Sequence, residues 1–152
     1  MEAVLKDLYR EWGVDKHLSE EEYAKFTLNT YEVLIKHAKA GQTVFYGELP
    51  VLNELKERFG DTASRLIGSI IDACSEYEAL RGRPLISSIA INRDTREPGG
   101  GFYRLSPIPL HLCTDTWEEQ DISPPDIVLS KRQELWLTEF RETLEYWAKQ
   151  ET

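Results

Sequence analysis

Hydrophobic residues recur along the chain at intervals that change twice. Val4, Leu5, Leu8, Tyr9 and Trp12 keep helical spacing until Gly13, which predicts a short opening helix closed by a glycine. Ser19, followed three residues later by Glu22, is a capping box, and Leu18 can staple onto Tyr23. A long helix is expected from there. Tyr23, Phe26, Thr30, Leu34 and Ala38 form its inner stripe, and Gly41 stops it. Thr43 to Tyr46 are β-branched or aromatic and predict a short strand. Pro50 opens a helix with Leu52, Leu55 and Phe59 on one face before Gly60. Asp61 or Thr62 caps the next helix, whose stripe is Leu66, Ile70, Ala73, Cys74 and Tyr77, and Gly82 and Pro84 end it.

After Pro84 the period falls to two. Leu85, Ser87, Ile89 and Ile91 alternate with Ile86, Ser88, Ala90 and Asn92, which predicts a strand. Turn formers fill Arg93 to Gly101, and Phe102 to Leu105 resume an extended pattern, so residues 85–105 are expected to form a hairpin with a long tip. Four prolines across 106–126 predict a surface loop, anchored by Leu110, Leu112 and Trp117. A final helix over 127–149, entered about Ser130 with Gln133 as capping partner, turns Leu137, Phe140, Leu144 and Trp147 inward. The expected architecture is α+β, a single domain over 1–152 with a core at 30–105.

The order helix, strand, helix, tight corner, helix, hairpin is that of a winged helix-turn-helix core, three helices plus a β-hairpin wing, flanked here by long N- and C-terminal helices. The residues that carry the resemblance are Gly41 through Tyr46-Gly47-Glu48-Leu49, then Arg65-Leu66-Ile67-Gly68, then Pro84-Leu85-Ile86-Ser87. They resemble winged-helix domains over about half the chain. The layout is similar to the DNA-binding half of alkylguanine alkyltransferase-like proteins, and Asn92 to Phe102, with Pro98-Gly99-Gly100-Gly101-Phe102, resembles the wing of small uncharacterised bacterial proteins. The Pro-Cys-His-Arg active-site run of the alkyltransferases is absent, and Cys74 falls on an apolar helix stripe, so alkyl transfer is not implied.

What the resemblance implies is duplex DNA bound through helix 62–80 and wing 85–105. Tyr46, Thr62, Ser64, Arg65 and Ser69 are the candidate contacts of the helix and its approach, and Arg81, Arg83, Arg93 and Arg96 those of the helix end and hairpin. Asp72 and Glu76 would repel phosphate, so only the first turns of that helix suit DNA. The competing readings are a protein-interaction or scaffolding module on the same fold, including a homodimer, and an acidic protein that captures a basic partner.

Charge qualifies the picture. The net charge is −9. Residues 1–29 hold four basic and seven acidic residues, residues 106–152 four and ten, and residues 30–105 ten of each. A polyanion therefore has to meet the neutral middle. Enzymatic chemistry is not expected. His111 and Cys113 lack a second ligand pair or an orienting base, no residues are spaced as a metal site, and no cofactor motif occurs. The three glycines after Pro98 lack the lysine and following helix of a P-loop and suit a turn. Two distant cysteines, no long apolar run and no basic-then-apolar opening predict a cytoplasmic protein with no membrane contact.

Overall fold

Ser19 opens the long helix as its sequence requires. Its hydroxyl accepts from the Glu22 amide at 3.1 Å, and the Glu22 carboxylate accepts from the Ser19 amide at 3.3 Å. A computed structural model describes residues 1–150, so the last two residues of the expected 1–152 domain lie outside the described residues. The helices are α1 (Glu2–Glu11), α2 (Glu20–Lys39), α3 (Pro50–Phe59), α4 (Ala63–Leu80), α5 (Thr114–Glu119) and α6 (Asp126–Ala148), with two short strands, β1 (Val44–Phe45) and β2 (Ala90–Ile91). Gly60, at φ 59° and ψ −128°, turns the chain between α3 and α4 in a conformation that side chains oppose. The helix–corner–helix unit is thus formed.

The centre of the fold is α4, which packs against α1, α2, α3 and the segment after Pro84. Leu66, Ile70, Ala73 and Cys74 are buried on it, as the spacing predicts. Ile67, Ile71 and Ser75 are buried as well, so the helix is enclosed on more than one side. A second cluster of Leu85, Ile91, Phe102, Tyr103, Leu105, Ile108, Leu112, Val128 and Trp136 lies beneath the loops.

The hairpin expected over 85–105 does not form among the described residues. Ile86–Ile89 make a 3-10 turn, Ala90–Ile91 pair in parallel with Val44–Phe45, and Gly100–Arg104 make a second 3-10 turn. Burial on both sides is the cause. Every residue from Leu85 to Ile91 is buried, so the alternation never marked a solvent face. The serines in it are satisfied by helices instead. Ser75 Oγ donates to Ser87 Oγ at 2.6 Å and accepts from the Ser87 amide at 2.8 Å, while Ser88 Oγ lies 3.2 Å from Thr143 Oγ1. Trp136 Nε1 donates to the Ser88 carbonyl at 2.8 Å, and Thr143 Oγ1 donates to the Leu85 carbonyl at 3.1 Å.

Two further expectations change. The 106–126 loop contains α5 and is anchored by Ile108 and Leu112, while Leu110 is 80 % exposed. α6 begins at Asp126 after Pro125, and Ser130 lies inside it. Pro125, with no amide to leave unpaired, takes the capping position, and Asp126 complements the helix N-terminus. The buried face of α6 is Val128, Trp136, Thr143 and Trp147, with Leu137 outside. A polar Thr143 in that face and an apolar Leu137 beyond it hide the register from a hydrophobicity pattern.

Candidate functional site

Three segments meet at one cleft of about 360 Å³: the end of α1 at Trp12, the N-terminal half of α4, and the loop from Asn92 to Arg104. β1 delivers Tyr46 to the cleft, and its hydroxyl accepts from the Gly99 amide at 2.8 Å. Burial raises the Tyr46 phenol above its ordinary value, keeping it a neutral hydrogen-bonding group. Pro98 is buried, and the Gly100 carbonyl accepts from Thr114 Oγ1 at 2.9 Å, so the glycine run is pinned at both ends.

The preceding loop closes on itself. The Asn92 amide donates to the Glu97 carbonyl at 2.9 Å, the Arg96 amide donates to the Asn92 carbonyl at 2.8 Å, and Asn92 Oδ1 accepts from the Asp94 amide at 2.9 Å. Arg96 takes a left-handed φ of 61° within this ring of bonds. The guanidiniums of Arg93 and Arg96 both stand over the Phe45 ring, 4.5 and 5.3 Å from its centroid. Neither forms a salt bridge among the described residues, and the same holds for Arg65 on the cleft's α4 side.

Asp72 lies on the floor of the cleft. It is 5 % exposed, and burial, with a contribution from Glu76 and against the pull of Arg104, pushes its carboxyl up to about 7. Gly101 passes so close that a Cβ there would stand 2.9 Å from Asp72 Oδ2. Arg104, also in the wall, is held by α5: its Nε donates to Asp115 at 2.7 Å and one terminal nitrogen donates to both Glu118 oxygens at 2.7 and 2.8 Å. Its charge is committed to that pair of carboxylates.

The fold gathers some of the sequence-predicted contacts and scatters others. Tyr46, Ser64, Arg65 and Ser69 line the cleft; Arg93 and Arg96 lie on the loop that begins at the lining residue Asn92 and stand over Phe45, which does not line it. Ser69 is buried, however, and its hydroxyl pairs with the Tyr23 hydroxyl at 3.0 Å. Thr62 sits in the corner turn before α4. Arg81, at the end of α4, lies about 24 Å along the helix axis from Arg65, and Arg83 follows in the turn after Gly82. There Arg81 donates to the Tyr77 hydroxyl at 3.0 Å, and Arg83 lies 3.6 Å from the buried Glu78 carboxylate, which also accepts from the Tyr31 hydroxyl. These two arginines serve the far end of α4.

Because α4 is enclosed, it cannot enter a major groove along its length; Ser64 and Arg65 in its first turn face outward. Sequence reasoning counted Asp72 and Glu76 only as repulsive and did not include Trp12, Asn92, Phe102 or Arg104. No local signal marked Asp72: two residues from Ile70, it lies across the helix from the apolar stripe, on the face read as exposed, and it is the loop at Gly101 that covers it. Among the described residues no group of His, Cys, Asp and Glu is placed to hold a metal, and no helix is long and apolar enough to cross a membrane. The chain matches no family model, no curated protein and no solved structure.

Proposed function

We propose that the protein is a nucleic-acid-binding module, with DNA the first ligand to test, whose contact surface is the cleft between the first turns of α4 and the loop 92–101. The observation that carries this reading is the set of guanidiniums of Arg65, Arg93 and Arg96. All three are exposed and, among the described residues, form no ion pair, which is true of Arg10, Arg81 and Arg141 as well; what distinguishes them is their place, Arg65 in the wall of the cleft and Arg93 and Arg96 on the loop that begins at its lining residue Asn92. Guanidiniums left open beside a cleft suit phosphate oxygens in a way that paired ones do not. The winged helix-turn-helix resemblance supports this through α3, the Gly60 corner and α4. The free cysteines Cys74 and Cys113 fit a cytoplasmic setting.

A net charge of −9 slows encounter with a polyanion, so binding is expected at low ionic strength and weakens steeply with salt. Three phosphate contacts correspond to a log–log salt slope of roughly −3 on duplex DNA, and Arg65→Ala should reduce its magnitude by about 1. Fluorescence anisotropy with duplex and single-stranded oligonucleotides measures both. Undetectable binding at low salt, or an unchanged slope in the Arg65→Ala/Arg96→Ala double variant, rejects the reading.

The exposed apolar residues of α6 do not favour a protein-interaction module with equal force. Ile127, Leu129 and Leu137 are 65 %, 47 % and 47 % exposed but spread over about 160° around the helix and about 15 Å along it, so they form no single docking stripe.

A further inference from the structure

The floor of the cleft holds a group for which phosphate has no use. Asp72 has no hydrogen-bond donor among the described residues. Glu139, by contrast, accepts from the Leu85 amide at 3.0 Å, and Glu78 accepts from the Tyr31 hydroxyl on one oxygen while its Oε2 has no partner among the described residues. The Asp72 oxygens are not sealed in the core but keep contact with solvent where Asp72 lines the cleft, so both acceptors are open to a donor that enters there. The nearest cation, Arg104, is turned to Asp115 and Glu118. Gly101 leaves the approach to Oδ2 bare, since any side chain there would stand against it. The missing donor therefore has room to arrive through the cleft.

Phosphate offers only acceptors and negative charge. A nucleobase offers N–H donors on a flat ring, and the cleft has aromatic residues to receive one: Trp12, Tyr46 and Phe102 all line it. The two oxygens of a carboxylate match two adjacent donors. Guanine has such a pair on its pairing edge, the imino N1–H beside the 2-amino group. Cytosine and adenine set one amino group beside an acceptor, and thymine sets its single N–H between two carbonyls that a carboxylate repels. The pairing edge is reachable only when the base is unpaired.

We infer that the cleft captures one unpaired guanine of a nucleic-acid strand, with Asp72 accepting from its imino and amino N–H groups while the flanking phosphates lie along Arg65, Arg93 and Arg96. This rests on the nucleic-acid reading above and adds to it a base preference. The test is fluorescence anisotropy with labelled single strands: all-thymine, the same strand with one central guanine, and the same strand with hypoxanthine in that place, which lacks the 2-amino group. The guanine strand should bind about tenfold more tightly than the thymine strand, with hypoxanthine between them. Asp72→Asn should bring the guanine-to-thymine ratio to about one. So should Gly101→Ala, which displaces the carboxylate by a Cβ and keeps its charge; it stands as the second probe should the first fold poorly. Equal binding of guanine and thymine strands, with the loss on Arg65→Ala retained, overturns guanine capture and leaves the nucleic-acid reading in place. No binding of any strand overturns both.

Discussion

Asp72→Asn has a stability signature whose pH dependence isolates the buried carboxyl. Burial takes this group from 3.8 to about 7, Glu76 acting in the same direction and Arg104 against it. A folded-state value above the unfolded one means that the folded protein holds the proton more tightly. Stability is then lost as pH rises from about 4 to about 7 and is level beyond. With these two values the linkage relation gives a cost of about 1.7 kcal/mol at pH 5 and about 4 kcal/mol at pH 8. Asparagine cannot ionise. Whatever fixed cost its amide brings is the same at both pH values, and the remaining titrating groups are common to both proteins. The variant should therefore gain about 2.5 kcal/mol over the parent between pH 5 and pH 8. Urea unfolding followed by tryptophan fluorescence reads this as a widening gap between midpoints at constant slope. A gap that stays constant would mean that Asp72 ionises freely in the folded protein. The floor of the cleft would then be wet, and the carboxylate would not lack a donor.

Two substitutions probe the scaffold behind the site. Gly60→Ala forces a side chain into φ 59° and ψ −128° at the α3–α4 corner and should cost about 1–3 kcal/mol in urea or thermal unfolding; a neutral result would mean that the corner relaxes. Thr143→Val leaves the Leu85 carbonyl without its side-chain donor and Ser88 Oγ without its partner, so it should cost about 1–3 kcal/mol despite its added apolar surface. A stabilised valine variant would show that α6 holds the 85–89 segment by apolar contact alone.

Legibility of this fold in the sequence follows how local each signal is. The Ser19–Glu22 box, the glycine stops and the α4 stripe depend on neighbours within a turn or two, and all appear as expected. The segment 85–105 depends on what covers it. Its alternating pattern predicted one buried and one wet face, but α4 covers one side and α6 the other, and the hydroxyls of Ser75 and Thr143 supply the partners that let Ser87 and Ser88 be buried. No local period can report a polar side chain satisfied from 55 residues away. The strand pairing failed for the same reason: Ala90–Ile91 finds its partner across the whole α3–α4 unit rather than across the adjacent turn.

The site was legible as a set of arginines and illegible as a cavity. Arg65, Arg93 and Arg96 could be singled out because guanidiniums suit phosphate wherever they are exposed. Whether a guanidinium is free depends on its carboxylate neighbours, and those come from distant segments: Asp115 and Glu118 hold Arg104, while Glu78 holds Arg83. The acidic flank after residue 106 thus does more than set the net charge. By occupying Arg104 it withholds from Asp72 the one nearby cation that could have neutralised it. Had Arg104 turned inward, the cleft would be a closed internal ion pair with nothing to offer a ligand. With Arg104 drawn outward to α5, the carboxylate faces the opening. Arg104→Met should consequently loosen α5 without supplying Asp72 a partner, and Asp115→Asn/Glu118→Gln should let Arg104 return to Asp72 and close the site. The second variant is the sharper test, because loss of strand binding on removing two negative charges runs against simple electrostatics.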